Sequence, residues 1–198
     1  MNSRQRVLAS IAHNEPEGVP VDLGATPSSG ISAIAYDNLL RCLPVRDKRN
    51  WVYDVVQQVA QPSAEVLDYF RIDTVDLGRT FNTHDSDWYD YTLLNGSTAQ
   101  QSIWFRPRKQ ADGSFLAYQG DEAIAVMPTT AISYDQIVFP FLDGYPAQYG
   151  SNLDEAMGRI HWAALAHSPW DHAGEADFWE KLRANAIKLR ATSDRAIV

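Results

Sequence analysis

The stretch GVPVDLGATPSSGISAIAYDNLL, residues 18–40, joins a short apolar segment to an amphipathic helix through a loop of small and hydroxyl residues. Residues 19–23 resemble a short buried strand, and residues 30–42 carry apolar side chains at helical spacing, with Pro44 ending the helix. A turn from a strand into a helix needs only about two or three residues. The extra length of the loop at 24–30 therefore predicts that something binds there.

A second copy of this arrangement lies further along the chain. Residues 74–77 form a short apolar segment that runs into Gly78 and a polar loop, and residues 196–198 have the character of a third strand. Connections between parallel strands return right-handed to the same sheet, so we expect the segments 19–23, 74–77 and 196–198 to lie parallel and adjacent. The pattern indicates an α/β protein.

The middle of the chain has a different pattern. Alternating runs between residues 103 and 127, with a turn at Asp112 and Gly113, predict an antiparallel hairpin outside the parallel sheet. We expect residues 1–198 to form a single domain, with residues 100–150 as a hairpin and loop insertion. The segment 52–62 fits either a short helix or an extended stretch.

Composition excludes several classes of function. The chain has 198 residues, a formal net charge of −8 and a pI near 5.0, which argue against nucleic acid as a partner. It has one cysteine, Cys42, so no intrachain disulfide or cysteine cluster can form. No segment approaches the ~18 apolar residues of a membrane span, and the amino terminus lacks the apolar core of a secretory signal. We expect a cytoplasmic protein without a membrane partner.

Several segments resemble the uroporphyrinogen decarboxylase superfamily. NSRQRVLASIAHNEPEGVPVDLG (2–24) resembles its amino terminus, and DYFRIDTVDLG (68–78) resembles its second strand. WAALAHSPWDH (162–172) and FWEKLRANAIKLRATSDRAIV (178–198) resemble the helices that lead to the third strand. The resemblance implies a partial (β/α)8 TIM barrel, of which this chain supplies the amino-terminal half, with the site at the carboxyl ends of the strands.

The superfamily contains tetrapyrrole decarboxylases and methyltransferases. The decarboxylase pattern needs arginines in the first loop and an aspartate in the second, where this chain has Ala25, Ser29 and Thr80. The resemblance therefore favours the methyltransferase branch, which transfers methyl groups between a corrinoid protein and a thiol or takes them from small methylated compounds. It implies no cofactor within this chain, and zinc and a corrinoid in a complete enzyme. Tetrapyrrole decarboxylation and a non-catalytic half-barrel that binds a partner are the alternatives.

The candidate site residues follow the two VDLG segments. Asp22 and Asp76 are the candidate catalytic carboxylates, each at the end of a predicted strand. The candidate substrate-binding residues are Gly24, Thr26, Ser28, Arg79, Thr80 and Phe81. Two structural alternatives remain open, since an aspartate could pair with Arg79 and a serine of the loop could cap the following helix.

Other polar and aromatic clusters have simpler interpretations. The run His84, Asp85 and Asp87 is typical of a solvated loop, so no metal ligands are assigned. The histidines of residues 161–172 alternate with tryptophans and favour helix packing, while Trp104 could stack on a planar ligand or cover the hairpin. Parallel strands with an open edge predict a homo-oligomer or pairing with a missing half.

Overall fold

The computed structural model describes residues 1–142, 144, 153–168 and 170–198, and in these residues helices alternate with many short strands. The α-helices are α1 (Ser3–Ile11), α2 (Ala33–Cys42), α3 (Ala64–Tyr69), α4 (Leu153–Gly158), α5 (His161–Leu165) and α6 (Phe178–Thr192). The strands are β1 (Ile31–Ser32), β2 (Val52–Asp54), β3 (Val59–Ala60), β4 (Thr74–Val75), β5 (Trp88–Thr92), β6 (Thr98–Ser102), β7 (Arg108–Lys109), β8 (Phe115–Gln119), β9 (Glu122–Met127), β10 (Asp135–Gln136) and β11 (Ala196–Ile197). Short 3₁₀ helices cover Pro27–Ser29 and Asp85–Asp87.

The strands form small separate sheets that are mostly antiparallel. One sheet has the order β1-β3-β2, a second has the order β10-β9-β8-β7, and β5 and β6 form a hairpin. All neighbours in these sheets are antiparallel. Only β4 and β11 pair as parallel strands among the described residues, with Thr74 opposite Ala196 and Val75 opposite Ile197.

The predicted fold class is wrong. The described residues contain no closed barrel, and their sheets are small and mostly antiparallel, so the chain is not a (β/α)8 TIM barrel or the amino-terminal half of one. A barrel needs successive parallel strands covered by helices, whereas in the part of the chain that the structure describes the parallel sheet has two strands. The predicted adjacency of residues 74–77 and 196–198 is confirmed by the pairing of β4 with β11.

The third expected parallel strand, residues 19–23, is not a strand. Val19 is 84% exposed and Val21 is 46% exposed, so the segment lacks the burial of an inner strand. Val21 nevertheless contacts the start of β4, because its carbonyl accepts a hydrogen bond from the amide of Asp73 and its amide donates to the Asp73 carboxylate. The Asp73 carboxylate thus accepts the hydrogen bond that a carbonyl group of a neighbouring strand would otherwise accept from the amide of Val21.

Helix α2 begins later than the sequence pattern predicts. Ser32 is its N-cap, and the Ser32 hydroxyl accepts a hydrogen bond from the amide of Ala35 at 3.3 Å. The residues before it form β1, which pairs with Val59 and Ala60. Because residues 31 and 32 pair with β3, the backbone stays extended up to Ser32. The N-cap of α2 is therefore Ser32 and not Ser28 or Ser29 of the loop.

The predicted hairpin region contains antiparallel strands, although their bounds differ. Strands β8 and β9 pair over five registered positions, and β7 joins β8 across the turn at Asp112 and Gly113. Residues 103–108 are expected to be a strand, but only Arg108 lies in one, at the start of β7. Part of the predicted insertion at 100–150 lies outside the described residues, namely 143 and 145–150.

The main hydrophobic core lies among the antiparallel elements. Fully buried side chains from α2, β2, β6 and β9 meet there, represented by Tyr36, Val52, Ala99 and Ile124. In the described part of the chain, no helix is long and apolar enough to cross a membrane.

Candidate functional site

Arg79 is the candidate site residue whose contacts the structure defines best. It follows β4 and Gly78, whose φ of +88° favours glycine. Its guanidinium carbon lies 3.8 Å from the centre of the Tyr53 ring and 5.3 Å from that of Phe81. One Nη donates a hydrogen bond to the carbonyl of Tyr53 at 3.1 Å. The guanidinium group is therefore fixed in orientation before any ligand arrives.

The charge of Arg79 is not neutralised by a neighbouring carboxylate. Within the described residues it forms no ion pair, and its Nε is buried without a hydrogen-bond partner. The alternative in which Asp22 or Asp76 pairs with Arg79 is therefore not what the structure contains. An unpaired, oriented guanidinium group can bind a carboxylate or phosphate through two hydrogen bonds.

Within the described part of the chain, Arg79 lines three cavities. The largest, about 480 Å³, is the lysine cleft, which Arg79 lines together with Thr80, Lys181 and Lys188. The second, about 390 Å³, is the tryptophan cavity, lined by Arg79 and by the side chains Ser28, Tyr53, Trp104, Trp162 and His167 among others. The third, about 210 Å³, is the small cavity, lined by Arg79, Phe81 and the Trp51–Trp88 pair.

The loop at 24–30 contributes to the tryptophan cavity through Pro27 and Ser28 only. Gly24 has a φ of +75°, and a Cβ there would lie 2.6 Å from the Cδ of Pro62. Close packing against Pro62, rather than approach of a ligand, explains this glycine. Thr26 is the N-cap of the 3₁₀ turn, and the Ser29 hydroxyl donates to its carbonyl at 3.1 Å.

Asp22 holds the loop to β4. One of its carboxylate oxygens accepts hydrogen bonds from the hydroxyl of Thr74 and, at 3.3 Å, from the amide of Ala25. It lines none of the three cavities around Arg79. These contacts give Asp22 a structural task at the base of the loop.

Asp76 lies beside Tyr53 with one oxygen unused. Its Oδ1 accepts from the amide of Gly78 at 2.9 Å, while its buried Oδ2 has no hydrogen-bond partner among the described residues. Burial and then the negative charge of Asp76 raise the pKa of the Tyr53 hydroxyl, and the positive charge of Arg79 opposes that shift. Tyr53 therefore stays protonated at neutral pH as a hydrogen-bond donor.

Aromatic side chains at the site pack mainly on one another. Trp88 stacks on Trp51 with ring centres 4.9 Å apart, and Trp104 contacts the His167 ring at 4.1 Å. The Phe81 ring lies 5.9 Å from the ring centre of His167 and 5.2 Å from that of His172. The structure thus brings Phe81 together with His167 and His172, which are distant in sequence.

Sequence reasoning missed Tyr53 and the position of His167. The segment around Tyr53 has no motif, and its role follows from the pairing of β2 with β3, which places it under Arg79. His167 was assigned to helix packing, but it lies beyond the end of α5 and lines the tryptophan cavity. An acidic residue four positions later, Asp171, is the signal that could have identified it.

No metal centre is found in the described part of the chain, where His, Cys, Asp and Glu side chains form no group of three that could hold an ion. In the run His84, Asp85 and Asp87, the Asp87 carboxylate instead accepts a hydrogen bond from the amide of His84 at 3.0 Å. These residues close the Asp85–Asp87 turn.

Comparison with known proteins adds no relative. No family model matches the chain, and no curated protein or solved structure with significant similarity to it was found.

Proposed function

We propose that this chain binds a small anionic molecule at Arg79 and forms part of an enzyme that acts on it. The observation that carries the proposal is the unpaired guanidinium group of Arg79, which is held on the Tyr53 ring and lines three cavities. The chain has a net negative charge and repels anions in general. An oriented guanidinium group inside a cavity therefore favours binding of an anion at that one position. The aromatic walls of the tryptophan cavity suit a planar ligand.

The proposed reaction class is methyl transfer, and it is supported by the sequence resemblance alone. Of the arginines in the described residues, Arg79 is the one that lines these cavities, and this favours a ligand with few carboxylates over a tetrapyrrole with many. Zinc, a corrinoid and a corrinoid protein belong to this proposal as groups supplied by other residues or partners. The cytoplasmic location and self-association are likewise proposals, the first supported by the single, unpaired Cys42.

Benzoate is a suitable probe, because it combines a planar ring with one carboxylate. We expect Arg79→Gln to weaken benzoate binding about tenfold, or about 1.4 kcal/mol, in isothermal titration calorimetry, with the fold retained in circular dichroism spectra. The neutral benzamide should bind the wild-type chain and Arg79→Gln equally weakly. These results would follow from loss of a charge-assisted pair of hydrogen bonds.

Arg106 provides a matched control. Its guanidinium carbon lies 3.6 Å from the centre of the Tyr89 ring, and its Nε donates to the carbonyl of Ile103 at 3.0 Å. Arg106 therefore has the same kind of neighbours as Arg79 but lines none of the three cavities. If Arg106→Gln weakens benzoate binding as much as Arg79→Gln, binding follows net charge and the assignment of Arg79 is wrong.

A further inference from the structure

His167 lies in the same cavity as Arg79. It follows the end of α5 and lines the tryptophan cavity together with Tyr53, Asp54 and Arg79. Its ring is positioned by edge contacts with Trp104 and Phe81, whose ring centres lie 4.1 and 5.9 Å away. A titratable side chain and the proposed anion-binding side chain therefore line the same cavity.

The ring nitrogens of His167 have different environments. Nδ1 lies 2.9 Å from a carboxylate oxygen of Asp171, a distance that allows an ion pair when the ring is protonated. Among the described residues, ring hydrogen bonds are made by His161 and His172, and none involves Nε2 of His167, which therefore remains free to contact a ligand. A carboxylate behind Nδ1 both orients an imidazole and stabilises the imidazolium ion that forms when Nε2 takes a proton.

Other groups at or near the cavity are unsuited to this task. The carboxylate of Asp54 already accepts hydrogen bonds from the amides of Val56 and Gln57 and from the Gln57 side chain, each at 2.9 Å. His161 is buried against Gln136, and burial lowers its pKa. The charged groups that His167 faces in the cavity and at its own Nδ1 are therefore Arg79, Asp54 and Asp171.

We propose that His167 is a proton-accepting residue for the anionic ligand held by Arg79, and that Asp171 positions it. The inference rests on the proposed function. In the step, the Nε2 lone pair forms a bond to the proton of a hydroxyl or thiol on the ligand, and the electron pair of the broken O–H or S–H bond stays on that oxygen or sulfur. The imidazolium ion so formed is stabilised by Asp171.

His172 is a matched control for His167. Its Nδ1 lies 2.5 Å from an oxygen of Glu175, so it is also an imidazole paired with a carboxylate, and its ring also contacts Phe81. It lines none of the three cavities around Arg79. A difference between the His167→Gln and His172→Gln variants therefore reflects the position of His167 in the tryptophan cavity and not the pairing of a histidine with a carboxylate.

The probe for the test is 4-hydroxy-3-nitrobenzoate, which offers a carboxylate to Arg79 and a phenol whose ionisation is visible by absorbance. Binding to the wild-type chain should lower the pKa of the phenol by about one unit, a tenfold change in proton dissociation, because His167 accepts its proton. His167→Gln should lose most of that shift, and linkage then weakens binding of the probe by no more than about tenfold. His172→Gln should keep both affinity and shift, whereas Arg79→Gln should lose affinity.

A second measurement does not depend on the probe. Nitrogen-15 spectra of the histidine rings should show His167 with Nδ1 protonated and Nε2 free, and Asp171→Asn should change that tautomer balance. The inference is overturned if His167→Gln retains the phenol shift, or if the neutral ring carries its proton on Nε2. A wild-type chain that does not bind the probe contradicts the proposed function, and the tautomer of His167 then decides the inference.

Discussion

The antiparallel and parallel parts of the molecule are stabilised in different ways. The antiparallel region, comprising α2 with β1–β3, β5, β6, β8 and β9, contains the main core, and α2 alone buries Ala33, Tyr36 and Leu40. The parallel region, comprising α1, β4, β11 and α6, has an α1 with no buried residue. Large apolar side chains of the parallel region are exposed, including Ile11 at 69% and Ile187 at 60%.

Arginine side chains connect the elements of the parallel region, in which large apolar side chains are exposed. Arg6 pairs with the buried carboxylate of Asp73, and Arg4 donates to the carbonyl of Ser193 at 2.7 Å. Arg195 donates to the carbonyl of Ile72 at 2.8 Å and pairs with Asp68. Directional polar contacts fix geometry well but contribute less net stability than burial of apolar surface. We therefore infer that the parallel region opens more readily than the antiparallel region.

Arg79 connects the two regions. It follows β4 of the parallel region, and it binds the carbonyl and ring of Tyr53 in β2 of the antiparallel region. The cavities it lines therefore change shape if the regions move relative to each other. This position is consistent with a binding site whose closure depends on a less stable element.

The largest expected effect comes from the antiparallel core. Ile124 has no exposed surface, so Ile124→Ala should lower the free energy of unfolding by about 4 kcal/mol in urea titrations. Ile187→Ala on α6 should change it by less than about 0.5 kcal/mol, because that side chain is 60% exposed. Similar losses for the two variants would mean that α6 has an apolar partner, such as a second copy of the chain.

A somewhat smaller loss of stability is expected when the ion pair between Arg6 and Asp73 in the parallel region is removed. Asp73 is 1% exposed, and its carboxylate binds Arg6 and the amide of Val21. Asp73→Ala should cost about 3 kcal/mol, less than a fully buried pair because Arg6 reaches solvent. Hydrogen exchange should rise in α1 and residues 19–23 and stay unchanged in β8 and β9.

Asp73→Asn separates charge from hydrogen bonding at this position. The amide oxygen of asparagine can still accept from Val21, while the ionic contact with Arg6 is lost. We expect an intermediate loss of stability and an intermediate rise in exchange. Faster exchange in the antiparallel core of either variant would contradict the separation into two regions.

Sequence reasoning succeeded where local pattern decides structure. The β4–β11 pairing and the turn at Asp112 and Gly113 follow from short apolar runs and turn residues. The barrel expectation failed because an apolar run such as residues 19–23 records a tendency to be extended and says nothing about a partner strand. Here the amide of Val21 donates to the Asp73 side chain, and Pro20 has no amide proton to donate. Neither residue can therefore donate a backbone hydrogen bond to a neighbouring strand.

The candidate site was predictable only in part for a related reason. Arg79 follows a strand and a glycine, which is a local signal, and the structure places it at a set of cavities. Tyr53 and His167 come from segments 26 residues before and 88 residues after it, and no local pattern records that they meet. Tertiary packing alone brings them together, since β2 and the end of α5 converge on the loop after β4.

The smallest expected effects concern the helix caps and compare the two regions directly. The Asn2 side chain accepts a hydrogen bond from the Gln5 amide at 2.9 Å, and the Gln5 side chain accepts one from the Asn2 amide at 3.0 Å. The Ser32 hydroxyl accepts a single, longer hydrogen bond at 3.3 Å. Despite this weaker geometry, Ser32→Ala should cost about 1 kcal/mol in global unfolding, because α2 is buried in the core. Asn2→Ala should cost only a few tenths of a kcal/mol globally and instead speed amide exchange within α1, which can fray alone. Ser32→Asp, which restores a capping oxygen, should recover most of the loss. If Asn2→Ala costs more than Ser32→Ala in urea titrations, α1 unfolds together with the core and the two regions form one cooperative unit.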